Sequence, residues 1–249
     1  MAIDERIVDA TGVYYRELNE NVRRMVADGA GKILLNGVNG QRYIADGLRG
    51  DLEIVVNGVP GNDLAVFMDG PTVIVNDNAQ DGVGNTMNRG KVVVRGSAGD
   101  VIGYGMRGGK VFVAGDIGYR AGIHMKSFND QVPVIVAGGR AGDFLGEYMA
   151  GGVLVLLGLN GDGEAPLVGG YVGTGMHGGT IYLRGEFDDS QLGEEVRRFE
   201  LDDDDRGLLS ELLEEFAADT GCDVSQVSVE EFKKLQPSSH RPYGNLYTY

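Results

Sequence analysis

Short runs of apolar residues recur along the chain at a nearly constant interval. Eight triplets rich in β-branched residues occur, at 33–35, 54–56, 73–75, 92–94, 111–113, 134–136, 153–155 and 181–183. A turn residue follows each triplet, and these turn residues are separated by 21, 19, 19, 19, 23, 20 and 27 positions. An internal period of about 20 residues is typical of a solenoid, in which each coil of the backbone adds one repeat to a stack.

Methionine follows the same period. Six of the eight methionines, together with Leu48 at the start, form a series with steps of 20, 19, 19, 19, 24 and 27 residues: Met68, Met87, Met106, Met125, Met149 and Met176. One methionine per coil predicts a single column inside the solenoid, where burial of each side chain contributes roughly 1.5–3 kcal/mol. A methionine-rich ligand surface is the alternative interpretation of the series.

The period and the residue types together predict the fold class. Nineteen residues are too few for a propeller blade, and the repeats contain no segment long enough for a helix. We therefore predict an all-β solenoid, a single-stranded right-handed β-helix of about eight coils with short α-helical N- and C-terminal flanks. The predicted organisation is a helical cap at 1–30, the β-helix at 31–187, and an acidic helical flank with an extended tail at 188–249.

Each flank contains a helical pattern. Leu18 and Val22 belong to an apolar stripe near the start, and Leu209 and Leu212 belong to a second stripe near the end. The sequence Ser228-Val229-Glu230-Glu231 has the form of a capping box, so we expect a further helix to begin there.

Composition and charge narrow the possible partners. The chain has 42 glycines and a formal net charge of −15. Residues 186–231 hold 17 acidic and 3 basic residues, so the rest is almost neutral. No basic face is available for nucleic acid.

We interpret the run Asp202–Asp205 as a solvated helix N-terminus. One cysteine, no apolar run of membrane length and no visible signal peptide predict a cytoplasmic protein without a membrane span.

Two glycine motifs resemble the G-x-G-x-x-G pattern of dinucleotide sites. They lie at 103–108 and 173–178, and a strand rather than a helix is predicted after each. Because a dinucleotide site places the pyrophosphate at a helix N-terminus, we predict no NAD or FAD site here. Gly-Asp pairs at 99–100, 115–116 and 142–143 suggest calcium repeats, but the period does not fit. Acceptance of backbone N–H bonds at corners is the favoured interpretation.

The remaining polar candidates are few. His124 precedes a methionine of the series and His177 follows one, so the two side chains are expected on opposite faces and not in one metal site. Asp143 and Glu147 suggest glycosidase chemistry, but the body shows no row of carboxylates for a groove. An enzyme that acts on polysaccharides through a groove of the β-helix remains an alternative.

Three strings carry a family resemblance. Residues 115–125, 142–152 and 173–179 together resemble the Gly-x-Gly-x-Gly domain at the C-terminal end of the glutamate synthase large subunit. The N-terminal helix and the tail 239–245 resemble the free-standing form of that domain, a separate subunit in archaea and some bacteria. A more distant resemblance is to the subunit of formylmethanofuran dehydrogenase that shares this coil repeat.

The resemblance implies a structural role. No catalytic, cofactor-binding or metal-ligating residue is carried over to this chain. What is carried over is a structural framework, namely Gly99, Gly103, Gly105, Gly108, Gly115, Gly118, Gly122, Gly142, Gly146, Gly151, Gly173, Gly175, Gly178, Met68, Met87, Met106, Met125, Met149 and Met176.

We therefore expect a non-catalytic subunit of a glutamate-synthase-like complex, which transfers ammonia from glutamine to 2-oxoglutarate in glutamate biosynthesis. The expected partners are a glutamine amidotransferase and an FMN-containing synthase subunit, with the FMN and an iron–sulfur cluster on the partners. Self-association remains open. A scaffold role in formylmethanofuran dehydrogenase or N-methylglutamate synthase is the alternative.

Overall fold

The structure is a computed structural model that describes residues 3–160 and 166–239. Nine strands lie side by side in chain order, and each is parallel to the next. They are β1 Glu5–Asp9, β2 Lys32–Asn39, β3 Glu53–Val59, β4 Asp69–Val75, β5 Arg89–Val94, β6 Lys110–Val113, β7 Val134–Ala137, β8 Ala150–Leu156 and β9 Gly178–Arg184. Strands β2–β9 contain the eight predicted triplets.

The register of the sheet repeats the sequence period. Val73 pairs with Val92, and Val92 pairs with Val111, so equivalent residues of successive triplets are neighbours. Successive side chains of a strand point to opposite faces. Val92 and Val94 therefore point into the solenoid, whereas Val93 points outward. Six of the triplets contribute two side chains to the interior and one to the outer face. The triplets at 134–136 and 153–155 are shifted by one position, so only Ile135 and Leu154 of these two triplets point into the interior.

A second line of contacts closes each coil on another wall. Single-residue parallel bridges link Ala79, Ala98, Ile117, Ala141 and Val168 in successive coils. The predicted β-solenoid is therefore confirmed. The number of turns is about six, slightly fewer than the eight coils predicted. After β9 the chain adds one more parallel bridge, between Val172 and Leu192, before it leaves the stack.

The interior is one apolar cluster that runs the length of the solenoid. Met68, Met87, Met106, Met125, Met149 and Met176 are all fully buried in it. From Met87 onward, the backbone amide that follows each methionine bonds to the methionine carbonyl one coil earlier, as Arg107 N does to Met87 O at 2.9 Å and Lys126 N to Met106 O at 3.0 Å. The methionines therefore occupy the same position in successive coils.

The N-terminal end is closed by a helix. Helix α1, Tyr15–Ala27, buries Leu18 and Val22 against the interior cluster. Strand β1, which the sequence pattern did not predict, precedes this helix and pairs with β2.

The C-terminal flank folds back over the outside of the sheet. After β9 come β10 Val196–Phe199, helix α2 Asp203–Thr220 and β11 Phe232–Pro237. Helix α2 packs on the outer face, where Phe216 meets Phe112 with ring centroids 5.8 Å apart. Strand β11 lies antiparallel to β9, and β10 lies antiparallel to β11.

The expectation of a third helix at Ser228 is wrong. A short 3-10 turn at Val229–Glu231 follows this residue, and the chain then enters β11. The Ser228 hydroxyl does accept a bond from the Glu230 amide, as a cap would. The edge of β9 offers backbone groups to the following segment, and pairing with that edge prevails over continued helix.

The acidic run begins α2, but not all of it is solvated. Asp202 is the N-cap and Asp203 and Asp204 are exposed, as predicted for a solvated helix N-terminus. Asp205 departs from that prediction, because its side chain is only 8% exposed and lies 2.6 Å from the Nζ of Lys234. The Tyr182 hydroxyl donates a second hydrogen bond to Asp205.

Asp205, Lys234 and Tyr182 form a buried cluster, in which burial and hydrogen bonding have opposite effects on the pKa of Asp205. Burial alone would raise the pKa of Asp205, but hydrogen bonds from Lys234 and Tyr182 outweigh it and hold the pKa below its usual value. The pKa of Tyr182 is raised, first by burial and then by the neighbouring Asp205 carboxylate. The cluster fastens the start of α2 to strands β9 and β11.

Neither α1 nor α2, the two helices of the described residues, has the length and apolarity to cross a membrane. The predicted extended tail falls largely on 240–249, outside the described residues.

Candidate functional site

The glycine motifs form one corner of the solenoid, between the bridge wall and the next strand. In the coil at 101–106, Val101, Gly103 and Gly105 have φ of 53°, 65° and 57°. The same alternation of left-handed residues recurs at 43-45-47, 63-65-67, 82-84-86, 120-122-124, 144-146-148 and 171-173-175. We call these seven segments the motif corner, and each has one central and two outer left-handed positions.

The motif corner is hydrogen-bonded to the coils on both sides. The central Gly103 N donates to Val83 O of the preceding coil at 2.8 Å. The outer Val101 N and Gly105 N donate to the following coil, also at 2.8 Å. These amides are therefore occupied by neighbouring backbone, and strands β6 and β9 follow the motifs at 103–108 and 173–178. The arrangement differs from a dinucleotide site, which needs free amides at a helix N-terminus.

The central position requires a small residue for a steric reason. A Cβ added at Gly103 would lie 2.4 Å from Ile135 Cδ1, and one at Gly146 would lie 2.7 Å from Ile181 Cδ1. Close approach within 3.1 Å of an added Cβ holds for eleven framework glycines: Gly99, Gly103, Gly108, Gly115, Gly118, Gly122, Gly142, Gly146, Gly151, Gly173 and Gly178. Gly105, with its nearest neighbour at 3.7 Å, is different.

The Gly-Asp pairs form a second stacking device. Asp100 Oδ1 accepts the Tyr119 N–H at 2.9 Å, Asp116 Oδ1 accepts the Arg140 N–H at 2.8 Å, and Asp143 Oδ1 accepts the Gly170 N–H at 2.8 Å. The interpretation of these aspartates as corner acceptors is therefore confirmed.

Large side chains occupy both outer positions of two successive coils and one outer position of the next, whereas the large residues Tyr43 and Phe67 each fill a single outer position elsewhere. Arg120, His124, Phe144, Tyr148 and Tyr171 have φ between 53° and 64°. Glycine fits the same slots elsewhere, at Gly47, Gly82, Gly105 and Gly175. A left-handed backbone costs a residue with a Cβ roughly 1–2 kcal/mol. Strain retained at such positions is common at functional sites, so this part of the corner is the candidate site.

The five side chains and their neighbours form two stacks, one on each outer position of the motif corner. The rings of His124 and Tyr148 are stacked at 5.3 Å, and those of Phe144 and Tyr171 at 4.9 Å. The Arg120 guanidinium lies 4.5 Å from the Phe144 ring centroid. We call the two stacks together the aromatic platform, and its members are Tyr104, Arg120, His124, Phe144, Glu147, Tyr148 and Tyr171.

Two further contacts complete the aromatic platform. Tyr104 presents its ring edge-on to His124 at 5.8 Å. Arg120 Nε lies 3.0 Å from Glu147 Oε2, and the Glu147 side chain is only 12% exposed. The carboxylate that pairs with Arg120 is therefore largely buried, whereas the guanidinium is exposed.

The exposure of the rings indicates what the platform can do. Tyr104 is 42%, Tyr148 37% and Tyr171 60% exposed. Tyrosine and arginine are enriched at protein interfaces and supply much of the binding energy there. The chemistry of the platform therefore suits the docking of another protein.

The polar residues considered from the sequence do not converge. Asp143 binds the Gly170 amide and Glu147 binds Arg120, so both carboxylates are engaged in bonds within the solenoid. His124 and His177 belong to corners two coils apart. Within residues 3–160 and 166–239, no group of three or more His, Cys, Asp or Glu side chains is arranged to hold a metal ion.

The aromatic platform was not predicted from the sequence. The sequence motifs draw attention to the recurring glycines, but glycine fills only four of the fourteen outer positions of the motif corner. Arg120, Tyr148 and Tyr171 lie at outer positions whose residue type varies from coil to coil, so no motif marks them. An alignment of the repeats by slot would have shown that large side chains fill both outer positions in the coils at 120–124 and 144–148.

Comparison with known proteins agrees with this architecture. The family described as GXGXG motif matches residues 4–241. An uncharacterized protein of Methanocaldococcus jannaschii is 49% identical over 254 residues, which cover 99% of this chain and 97% of that protein. The match confirms the resemblance to the Gly-x-Gly-x-Gly domain of glutamate synthase. The chain belongs to the GXGXG motif family.

Proposed function

We propose that the chain is a non-catalytic structural subunit of a glutamate-synthase-like complex, in which it spaces a glutamine amidotransferase and an FMN-containing synthase subunit. The observation that carries the proposal is the aromatic platform on the motif corner of a solenoid. Large exposed side chains are kept there in a strained backbone conformation, although glycine fits the same slots.

The solenoid suits a spacer because its coils are tied together on every wall. Strands, single-residue bridges and corner amides all bond between successive coils. With about 4.8 Å between neighbouring strands, the eight steps from β1 to β9 span roughly 38 Å. Such a rod fixes both the distance and the orientation of proteins attached to it.

Fixed geometry has a direct value for ammonia transfer. Ammonia released into solution is diluted and protonated, whereas ammonia released next to its acceptor site acts at high effective concentration. In the proposed complex the partners hold the FMN and the iron–sulfur cluster and carry out the chemistry. This chain holds the partners, and the complex is expected in the cytoplasm.

Reconstitution tests the proposal. The chain would be combined with the amidotransferase and FMN-containing synthase subunits of the same organism, and complex formation would be followed by size-exclusion chromatography. Glutamate formation from glutamine and 2-oxoglutarate would be measured with and without the chain. We expect no glutamate from the chain alone, and assembly with faster glutamate formation when all three are present.

Two results would contradict the proposal. One is glutamate formation by the purified chain alone, which would make it an enzyme. The other is equal assembly and turnover of the partners without the chain. Stable association with a molybdenum or tungsten subunit instead would assign the chain to formylmethanofuran dehydrogenase.

A further inference from the structure

The outward side chains of the parallel sheet form one apolar row across all nine strands. The register pairs each member with the next, and the row consists of Ile7, Leu34, Val55, Ile74, Val93, Phe112, Val136, Val155 and Tyr182. An apolar row on the outside of a sheet is stable when another element packs on it.

Helix α2 covers one half of this row. Phe112, Val136, Val155 and Tyr182 are buried with Leu209, Leu212 and Phe216 of the helix in a second core. The helix crosses the strands, from Asp205 bonded to Tyr182 on β9 to Asp219 bonded to Lys91 on β5. It ends at Gly221.

The other half of the row has no cover from the described residues. Ile7 is 64% exposed, and Leu34, Val55 and Ile74 are partly exposed, whereas Val93 next to the end of α2 is 2% exposed. We call Ile7, Leu34, Val55 and Ile74 the uncovered stripe. Helix α1 is not available to it, because Leu18 and Val22 pack into the interior cluster.

Polar side chains border the uncovered stripe on both sides. On one side Lys32 pairs with Glu53 at 2.9 Å. On the other side the amides of Asn36, Asn57 and Asn76 form a hydrogen-bonded ladder, with Nδ2 to Oδ1 distances of 2.7 Å. An apolar strip between two polar margins matches the one-sided apolar surface of an amphipathic helix.

We propose that the uncovered stripe is the docking site for an amphipathic α-helix of a partner subunit, which lies across β1–β4 end to end with α2. The structure supports a helix as the occupant because α2 binds the same row in this way, a few ångströms further along. This inference rests on the proposed function, since a spacer needs a second docking surface apart from the aromatic platform.

The dimensions set the size of the occupant. Three strand steps of about 4.8 Å separate Ile7 from Ile74, or roughly 14 Å. At 1.5 Å per residue, a helix of about 10 residues spans that distance. Its apolar residues would recur at spacings of three and four, as in other helices that bind grooves.

Substitutions on and off the stripe test the inference with purified components. Val55→Glu places a carboxylate in the apolar contact, Val55→Thr removes only apolar character, and Gln80→Glu adds the same charge at an exposed position away from the stripe. Calorimetric titration would give the Kd of each variant for the amidotransferase and the synthase subunit. We expect Val55→Glu to weaken the binding of one subunit at least tenfold, Val55→Thr several-fold, and Gln80→Glu not at all.

Cross-linking identifies the occupant. A photoreactive residue at position 55 should cross-link to a segment of the partner with helical spacing of apolar residues. Kd values of the Val55 variants equal to that of the wild type would overturn this inference while the proposed function stands. A cross-link to residues of the same chain or of a second copy would also overturn it. If neither subunit binds the wild-type chain, the proposed function fails and this inference with it.

Discussion

The imidazole of His124 lies flat on the phenol ring of Tyr148, with ring centroids 5.3 Å apart and 11° between the ring planes. Both residues have a left-handed backbone, with φ of 55° and 53°. An aromatic pair contributes about 0.5–1.5 kcal/mol beyond its burial, which is close to the cost of one strained residue. Stacking therefore does not by itself explain why large residues fill both slots.

Replacement of Tyr148 by glycine separates stability from binding. Tyr148→Gly relieves a left-handed Cβ and loses the stacked pair, so the free energy of unfolding should change by less than about 1.5 kcal/mol. Binding of the partner that docks on the platform should weaken at least tenfold, because exposed tyrosines are typical interface hot spots. Denaturant unfolding and calorimetric titration measure the two effects.

Tyr148→Phe is the matched control, since it keeps the ring and the stacking. It should retain most of the binding. A loss of several kcal/mol in Tyr148→Gly together with unchanged partner binding would mean that the rings serve the solenoid alone.

The central and outer glycines of one corner should differ in their tolerance of a methyl group. Gly103 and Gly105 both have positive φ, but an added Cβ meets Ile135 Cδ1 at 2.4 Å only at Gly103. We expect Gly105→Ala to lower the free energy of unfolding by about 1 kcal/mol through backbone strain. Gly103→Ala should cost about 1–3 kcal/mol more than Gly105→Ala through overpacking.

A second substitution checks the steric explanation. Ile135→Val removes the Cδ1 atom that the new methyl group would meet, so in the Gly103→Ala protein it should recover part of the lost stability. The first two coils already have alanine at the central position, at Ala45 and Ala65. In these coils the register places Val73 and Val92 where Ile135 lies in the later coil, and valine has no Cδ1 atom. Equal costs for the two alanine variants in urea unfolding would refute the explanation.

The sequence was informative where one environment repeats. Val92 belongs to the series of apolar triplets and Met106 to the series of methionines. Each series marks a position that recurs in every coil, so the sequence pattern was enough to predict the solenoid. The pattern could not reveal the contact of Asp205 with Lys234, because these residues are 29 positions apart and their contact is not repeated in other coils. The capping pattern at Ser228 was real, but pairing of β11 with β9 decided the structure after it.

The buried pair of Asp205 and Lys234 should make α2 sensitive to acid. The pKa of Asp205 in the folded protein lies below its usual value of 3.8, with burial outweighed by the bonds from Lys234 and Tyr182. The stabilisation it provides is therefore complete above the unfolded pKa and is lost as the pH falls through the folded pKa. Asp205→Asn should show a shallower loss of unfolding free energy below about pH 4 than the wild type.

Removal of Lys234 should reverse the direction in which the contribution of Asp205 to the unfolding free energy changes with pH. Lys234→Met leaves the Asp205 carboxylate buried without its cation, which costs about 3–5 kcal/mol at neutral pH. Burial then raises the pKa of Asp205, so its protonated form is favoured in the folded state. The difference in unfolding free energy between the wild type and Lys234→Met should shrink on acidification. A difference that is constant with pH would show that the pair does not titrate as described.

The methionine column gives a prediction about the interior. Met106 is fully buried, and its carbonyl accepts the Lys126 amide of the next coil. Met106→Ala should lower the free energy of unfolding by about 2–5 kcal/mol, because the rigid coils on both sides cannot close the cavity. Met106→Leu, which nearly conserves volume, should cost less than about 1.5 kcal/mol. Urea unfolding measures both, and hydrogen exchange of the Lys126 amide reports whether the loss is local. An alanine variant as stable as the leucine variant would mean that the coils around Met106 collapse freely, which a stack bonded on every wall should not do.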